Sequence, residues 1–155
     1  MIHSYDILHN NSNTGFPFSY RIEGIRMQKK PTYKLTPYIH EEFVKIVITG
    51  EVTRDDIKDL TNEVYKIVQL TNAKKLLCDV RGVKGRFGYT DMYLFATNVP
   101  SAFFNIPTAL IDLPENEKLQ SFRQYVAEHA GIPVKWCTNP EEAISWLQSM
   151  PNADG

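Results

Sequence analysis

The sequence predicts an α/β protein with a mostly parallel sheet of four or five strands, an N-terminal antiparallel hairpin strand and about four helices. Short apolar runs rich in β-branched residues alternate with longer stretches in which apolar residues recur at helical spacing. The connections between these segments are short. The strands are continuously apolar rather than alternating, which is typical of strands in a parallel sheet that is covered on both faces.

The first predicted elements are a hairpin and a helix. The segments "YKLTPYIH" (33–40) and "FVKIVITG" (43–50) are separated by only two glutamates, which predicts an antiparallel pair at the edge of the sheet. Residues 53–73 carry apolar side chains at helical spacing and predict the first helix. The run "KKLLCDV" (74–80) then predicts a short buried strand.

The same alternation continues in the second half. Thr90 and Asp91 predict the start of a second helix, with Thr90 suited to the N-cap, and Pro100 must end this helix. A third strand is predicted at "PTALIDL" (107–113), followed by a helix at 114–131 that Gly131 closes.

The last predicted elements are a strand and a helix. "IPVKWCT" (132–138) predicts the strand, and "NPEEAISWLQSM" (139–150) predicts the helix. Asn139 is suited to its N-cap and Pro140 to its first position, which makes this the clearest helix start in the sequence.

Length and charge restrict the classes of protein that the sequence fits. With 155 residues we expect a single domain over 27–155, preceded by an N-terminal extension at 1–26 that is polar and rich in turn residues. A net charge of −1 argues against nucleic-acid binding. No apolar run reaches the roughly 18 residues of a membrane span, and the N-terminus does not resemble a signal peptide, so we expect a cytoplasmic protein.

The sequence contains little that is typical of an enzyme. Cys78 and Cys137 lie alone in predicted strands, which favours buried, reduced thiols, and no residues have metal-ligand spacing. We therefore predict no catalysis, no metal and no cofactor. Asp79 and Asp112 fall at the C-terminal ends of predicted strands, where α/β sheets usually bind ligands. They either converge in one cleft with an arginine, or each caps a loop amide or pairs with an arginine separately.

The stretch "LLCDVRGVKGRFGYTDMYLFA" (76–96) combines three glycines with three cations. Its G-x-x-G-x-x-G spacing matches neither the dinucleotide fingerprint nor a Walker loop, so a nucleotide or anion site is the weaker interpretation. Solvated loop charges are the simplest alternative. The aromatic residues Phe87 and Tyr89 favour a recognition surface instead, and Phe87 either joins that surface or packs on the core. The residues of this interaction or anion loop are Arg81, Lys84, Arg86, Phe87, Tyr89 and Asp91.

The segment around Pro100 is too apolar for an ordinary exposed loop. Its aromatic residues either complete the core or line an apolar pocket for a small hydrophobic or lipid ligand. The residues of this predicted pocket are Tyr93, Phe95, Phe103 and Phe104.

The order "FVKIVITGEVTRDDI", "KKLLCDVRGV", "PTALID" and "GIPVKWCTNPEEAISWL" resembles a STAS domain, and more narrowly the bacterial SpoIIAA-like proteins of unassigned function. The resemblance covers about residues 33–147. It implies a sheet with helices mainly on one side. The best understood members are non-enzymatic anti-sigma-factor antagonists that bind a protein partner and are controlled by phosphorylation at the start of the second helix. Carried over to this sequence, the phosphoacceptor is Thr90, followed by Asp91, although the connection before it is longer than in the antagonists.

The sequence therefore predicts a regulatory protein-interaction module, with Thr90 either a phosphorylation switch or an ordinary N-cap. A small hydrophobic ligand or lipid is the alternative partner. A homodimer formed through the hairpin edge is a further expectation.

Overall fold

The computed structural model describes residues 31–85 and 87–152, so the predicted extension at 1–26 lies outside the described residues. The described residues form five strands and four α-helices. The strands are Tyr33–Ile39 (β1), Val44–Glu51 (β2), Leu76–Lys84 (β3), Thr108–Ile111 (β4) and Val134–Cys137 (β5), and the helices are Ile57–Thr71 (α1), Tyr89–Thr97 (α2), Glu117–His129 (α3) and Pro140–Ser149 (α4). Within these ranges, no helix is long and apolar enough to cross a membrane.

The strands lie side by side in chain order. β1 runs antiparallel to β2, and each of the other neighbouring pairs is parallel. The predicted fold class is therefore confirmed. Parallel strands need crossover connections, and these are almost always right-handed. Because the strand order never reverses, the three crossover helices α1, α2 and α3 all lie on one face of the sheet, which we call the helical face.

The core has one part on each side of the sheet. On the helical face, α1 packs its apolar stripe against β2, β3 and β4. On the opposite face, α4 covers the other side of β4 and β5, and its Ala143 and Leu147 are fully buried. Cys78 belongs to the first part and Cys137 to the second, and both are free thiols, as predicted.

β3 is longer than the sequence predicted. Instead of ending at Val80 it continues to Lys84, because its last residues pair with the end of β2 after a shift in register. Gly82 permits this pairing, since a Cβ at Gly82 would lie 2.8 Å from Cγ2 of Thr49. Residues 85–88 alone therefore connect β3 to α2.

Two of the predicted capping residues, Asn139 and Gly131, have the predicted roles. The Asn139 side chain accepts a hydrogen bond from the Glu142 amide at 2.8 Å and caps α4. At the end of α3, Gly131 has a φ of 78°, and the next amide, that of Ile132, donates to the Ala127 carbonyl at 2.9 Å. This is the Schellman arrangement, in which glycine is favoured because it has no Cβ.

Replacing Gly131 with Ala is expected to lower the free energy of unfolding by about 1 kcal/mol, because the added Cβ must occupy a left-handed conformation. No atom lies within 4 Å of that Cβ, so a clash does not contribute. Gly131→Asn is the control, since asparagine tolerates this conformation better and should lose less. Urea unfolding measures both variants, and equal losses would contradict the backbone explanation.

Candidate functional site

The connection from β3 to α2 brings the chain back against the sheet. A Cβ at Gly85 would lie 2.5 Å from the Val52 carbonyl oxygen, so this close approach requires glycine. Phe87 packs against the helical-face core and meets Phe95 edge to face, with ring centroids 5.7 Å apart. Arg86, a predicted loop residue, lies outside the described residues.

Asp91 closes the N-terminus of α2. Its carboxylate accepts hydrogen bonds from the Gly88 amide at 2.8 Å and from Arg54 Nε at 2.6 Å. These two hydrogen bonds hold the pKa of Asp91 below its usual range, and the one from the Gly88 amide has the larger effect. The Asp91 side chain is only 9% exposed, whereas that of Arg54 is 62% exposed and largely solvated. The helix-capping bond is thus better protected from water than the ion pair.

Thr90 precedes this carboxylate and remains exposed. It is the second residue of α2, and Gly88 holds the N-cap position with a φ of −99°. The prediction that Thr90 is the N-cap is wrong, because Asp91 already accepts the Gly88 amide. The Thr90 hydroxyl forms no hydrogen bond within the part of the chain that the structure describes.

Two exposed aromatic residues lie beside Thr90. Tyr89 and Tyr93 are separated by about one helical turn, and more than half of the surface of each residue is exposed to solvent. The Tyr89 ring lies edge-on to Phe122 of α3, with centroids 5.1 Å apart. We call the group Arg54, Phe87, Tyr89, Thr90 and Asp91 the α2 corner.

The other predicted cations are strand residues. Arg81 binds Asp79 with two hydrogen bonds, from Nε at 2.9 Å and from a terminal nitrogen at 2.7 Å. The hydrogen bond from Arg81 is the main reason that the pKa of Asp79 is lowered. Lys84 is the last residue of β3. Because Asp79 already balances the charge of Arg81, the case for an anion loop is weaker.

Asp79 and Asp112 belong to opposite faces of the sheet. Asp79 pairs in register with Ile111, the residue before Asp112, and successive strand residues point to opposite sides. Asp112 lies on the helical face, where its carboxylate accepts hydrogen bonds from the Leu113 amide at 2.7 Å, Asn116 Nδ2 at 3.0 Å and Gln120 Nε2 at 2.6 Å. The two carboxylates therefore form no shared cleft.

A cavity of about 120 Å³ lies between the helical face and the three helices. Its walls include Cys78 and Leu110 from the sheet, together with Tyr65 from α1. Burial raises the pKa of the Cys78 thiol and of the Tyr65 phenol to about 12 in each case, so both groups are neutral at pH 7. A thiol with so high a pKa is a poor nucleophile.

One residue of the predicted apolar pocket, Phe95, lines this cavity. Phe103 is partly buried against the core and stacks on Tyr65, with ring centroids 4.7 Å apart. Tyr93 and Phe104 are exposed. These four residues are not brought together into one pocket.

Two residues of the cavity were not among those predicted from the sequence. They are Gln120 and Arg123 of α3, and both line it. Gln120 is buried. The spacing of Gln120, Arg123 and the buried Ala127 was the available signal, since residues at i, i+3 and i+7 share one face of a helix. Among the described residues, no group of three or more histidine, cysteine or acidic side chains is placed to hold a metal ion.

Comparisons with known proteins establish the fold. No family model matches the chain, and no curated protein matches it. A solved anti-sigma factor antagonist from Mycobacterium paratuberculosis aligns with a TM-score of 0.53 at 10% sequence identity, and the alignment covers 76% of this chain and 95% of that chain. The chain therefore has a STAS-like fold, as the resemblance implied.

A second solved structure, an uncharacterised protein with a SpoIIAA-like fold from Shewanella loihica PV-4, aligns with a TM-score of 0.48 at 15% identity. This alignment covers 78% of this chain and 98% of that chain.

The variant Asp91→Asn is expected to be less stable than the wild type by about 1 kcal/mol at pH 7, because it loses the charge that strengthens the cap and the Arg54 pair. A lowered pKa in the folded state stabilises the protein above the unfolded value of about 3.9, and this contribution is lost as the pH falls through the folded pKa. The difference between the two proteins should therefore shrink as the pH falls below about 3.9.

Urea unfolding between pH 7 and pH 3 measures this difference. Arg54→Met is the matched comparison, since it removes only the guanidinium and should give a smaller loss. A constant difference between wild type and Asp91→Asn across the pH range would show that the Asp91 charge is not responsible.

Proposed function

We propose that this chain is a non-enzymatic regulatory module that binds a protein partner through the α2 corner and is switched by phosphorylation of Thr90. The observation that carries the proposal is the position of the Thr90 hydroxyl. It is exposed and takes no part in capping, and Thr90 directly precedes Asp91 in the chain, whose carboxylate does cap the helix.

A phosphate on Thr90 would change the charge of the α2 corner. It would add about −1.5 to −2 charges and three strong acceptor oxygens at the positive end of α2, beside the negatively charged Asp91. Arg54 is largely solvated and already ion-paired with Asp91 at this corner, so the phosphate would compete with Asp91 for it. A partner that recognises the unmodified corner would then meet additional negative charge.

The exposed aromatic residues support a protein partner. Tyrosine is enriched in protein interfaces because it buries a large rigid surface and still offers a hydroxyl. Tyr89 and Tyr93 offer such a surface next to Thr90. The mycobacterial neighbour is named for its action against an anti-sigma factor, which agrees with a protein partner. At 10% identity that likeness extends to the fold alone, so the class of partner comes from the α2 corner.

Protein isolated from its native cells is expected to carry a phosphoryl group on Thr90 in part of the population. Peptide mapping by mass spectrometry tests this directly. Phosphate found only at other positions, under every growth condition in which the protein is made, would contradict the switch.

The measurement is cross-linking in native cells. The wild type is expected to be cross-linked to a partner that Thr90→Glu loses, since glutamate places a negative charge where the phosphate would be. Thr97→Glu, at the other end of α2 and also exposed, is the matched control and should retain the partner. Equal retention by the two variants would argue that the α2 corner is not the binding surface.

A further inference from the structure

Arg123 is a charged residue at a largely apolar cavity, and its charge is not balanced there. Its guanidinium carbon lies 5.0 Å from the centroid of the Phe95 ring, which is a cation–π contact. Among the described residues, the guanidinium forms no hydrogen bond and no ion pair. Burial lowers the pKa of Arg123 below its usual range, yet arginine keeps its proton at neutral pH. The cation therefore lies at the cavity without a counter-ion from these residues.

The nearest acidic group of the cavity is already used. Asp112 also lines the cavity, but its carboxylate accepts the three hydrogen bonds that organise the start of α3. Arg123 feels the charge of Asp112 without forming an ion pair with it. Arg123 is half-buried, so its charge loses part of its hydration without a partner that replaces it.

Gln120 provides an independent sign that the cavity can accept a hydrogen-bond donor. Its amide nitrogen donates to Asp112 at 2.6 Å, and because a carboxylate only accepts, this bond fixes which end of the amide faces Asp112. The other end, Oε1, is buried and has no hydrogen-bond donor. The Gln120 residue is only 6% exposed. Buried acceptors are rarely left unpaired in folded proteins.

The remaining walls of the cavity are mainly apolar. They include Ile48, Val64, Leu110 and Met92, in addition to Phe87 and Phe95. At about 120 Å³ the cavity is of the size that holds a benzene-sized body, since an engineered apolar cavity of about 150 Å³ binds benzene. A ligand would therefore combine a small apolar body with one anionic group and a hydrogen-bond donor.

We propose that this cavity binds a small organic monocarboxylate, with its carboxylate on Arg123, a hydroxyl or a bridging water on Gln120 Oε1, and its apolar body between Phe87, Phe95 and Leu110. This ligand site is additional to the protein-interaction function proposed above and does not depend on it.

The chemistry of the site favours a carboxylate over a phosphate. A single guanidinium presents a planar pair of donors that matches the two oxygens of a carboxylate. A phosphate dianion would leave further oxygens and a second charge to be balanced in an apolar cavity, close to the charge of Asp112. An uncharged hydrocarbon would fill the space but would leave Arg123 uncompensated.

The test measures binding to the full-length protein by isothermal titration calorimetry. The probes are hexanoate, octanoate, benzoate and 4-hydroxybenzoate, each beside its uncharged primary amide. We expect at least one carboxylate to bind about tenfold or more tightly than its amide, which is the range of a charge-assisted hydrogen bond. Arg123→Met should remove that preference. Lys118→Met, an exposed cation on the same helix, should leave it unchanged.

Thermal unfolding of the free variants adds a readout that does not depend on the choice of probe. Arg123→Met should melt at the same or a higher temperature than the wild type, because it removes an uncompensated charge and keeps an apolar contact with Phe95. A purely structural role for Arg123 would instead lower the melting temperature. Gln120→Leu should reduce the advantage of 4-hydroxybenzoate over benzoate.

The proposal is overturned if no carboxylate binds at millimolar concentration, if the amides bind equally well, or if Arg123→Met and Lys118→Met behave alike. The carboxylate and amide comparison uses the wild type alone, so it decides the question even if a variant fails to fold. None of these measurements involves Thr90, so failure here leaves the phosphorylation switch to its own test.

Discussion

The handedness of the crossover connections determines the arrangement of this protein. Each of the three parallel connections turns the same way, and the strand order never reverses, so α1, α2 and α3 must share one face of the sheet. The α2 corner and the cavity both result from this constraint. α2 begins where β3 ends, and α3 lies beside it. α4, which follows the last strand, is left to cover the other face.

On the helical face, polar side chains lie close to the core because they form hydrogen bonds with one another and with the backbone. Asp112 follows β4 and uses its carboxylate to hold the turn before α3 and the Gln120 side chain of that helix. This fixes the first turns of α3 against the sheet. Arg123, one turn further along, then lies at the cavity beside Phe95. The network is satisfied at Asp112, whereas Gln120 Oε1 has no hydrogen-bond donor among the described residues.

At the α2 corner, neighbouring residues have separate roles. Asp91 caps the start of α2 through its hydrogen bond from the Gly88 amide. Within the described residues, the Thr90 side chain forms no hydrogen bond that would help to cap this helix. The sequence predicted the helix start correctly but could not assign the two roles, because threonine and aspartate both suit a cap. In the folded protein Asp91 rather than Thr90 takes the capping role, because its carboxylate binds the Gly88 amide and the side chain of Arg54, which lies 37 residues away in the chain.

The sequence alone determined the alternation of strands and helices, the N-cap at Asn139 and the turn at Gly131, because apolar periodicity and capping depend on residues close in the chain. Tertiary structure decided the rest. β3 is long because β2 offers a partner as far as Lys84. The opposite faces of Asp79 and Asp112 follow from strand register, and the position of Arg123 follows from the packing of α3. The surroundings of a charged side chain are formed by residues distant in sequence, and no local pattern encodes them.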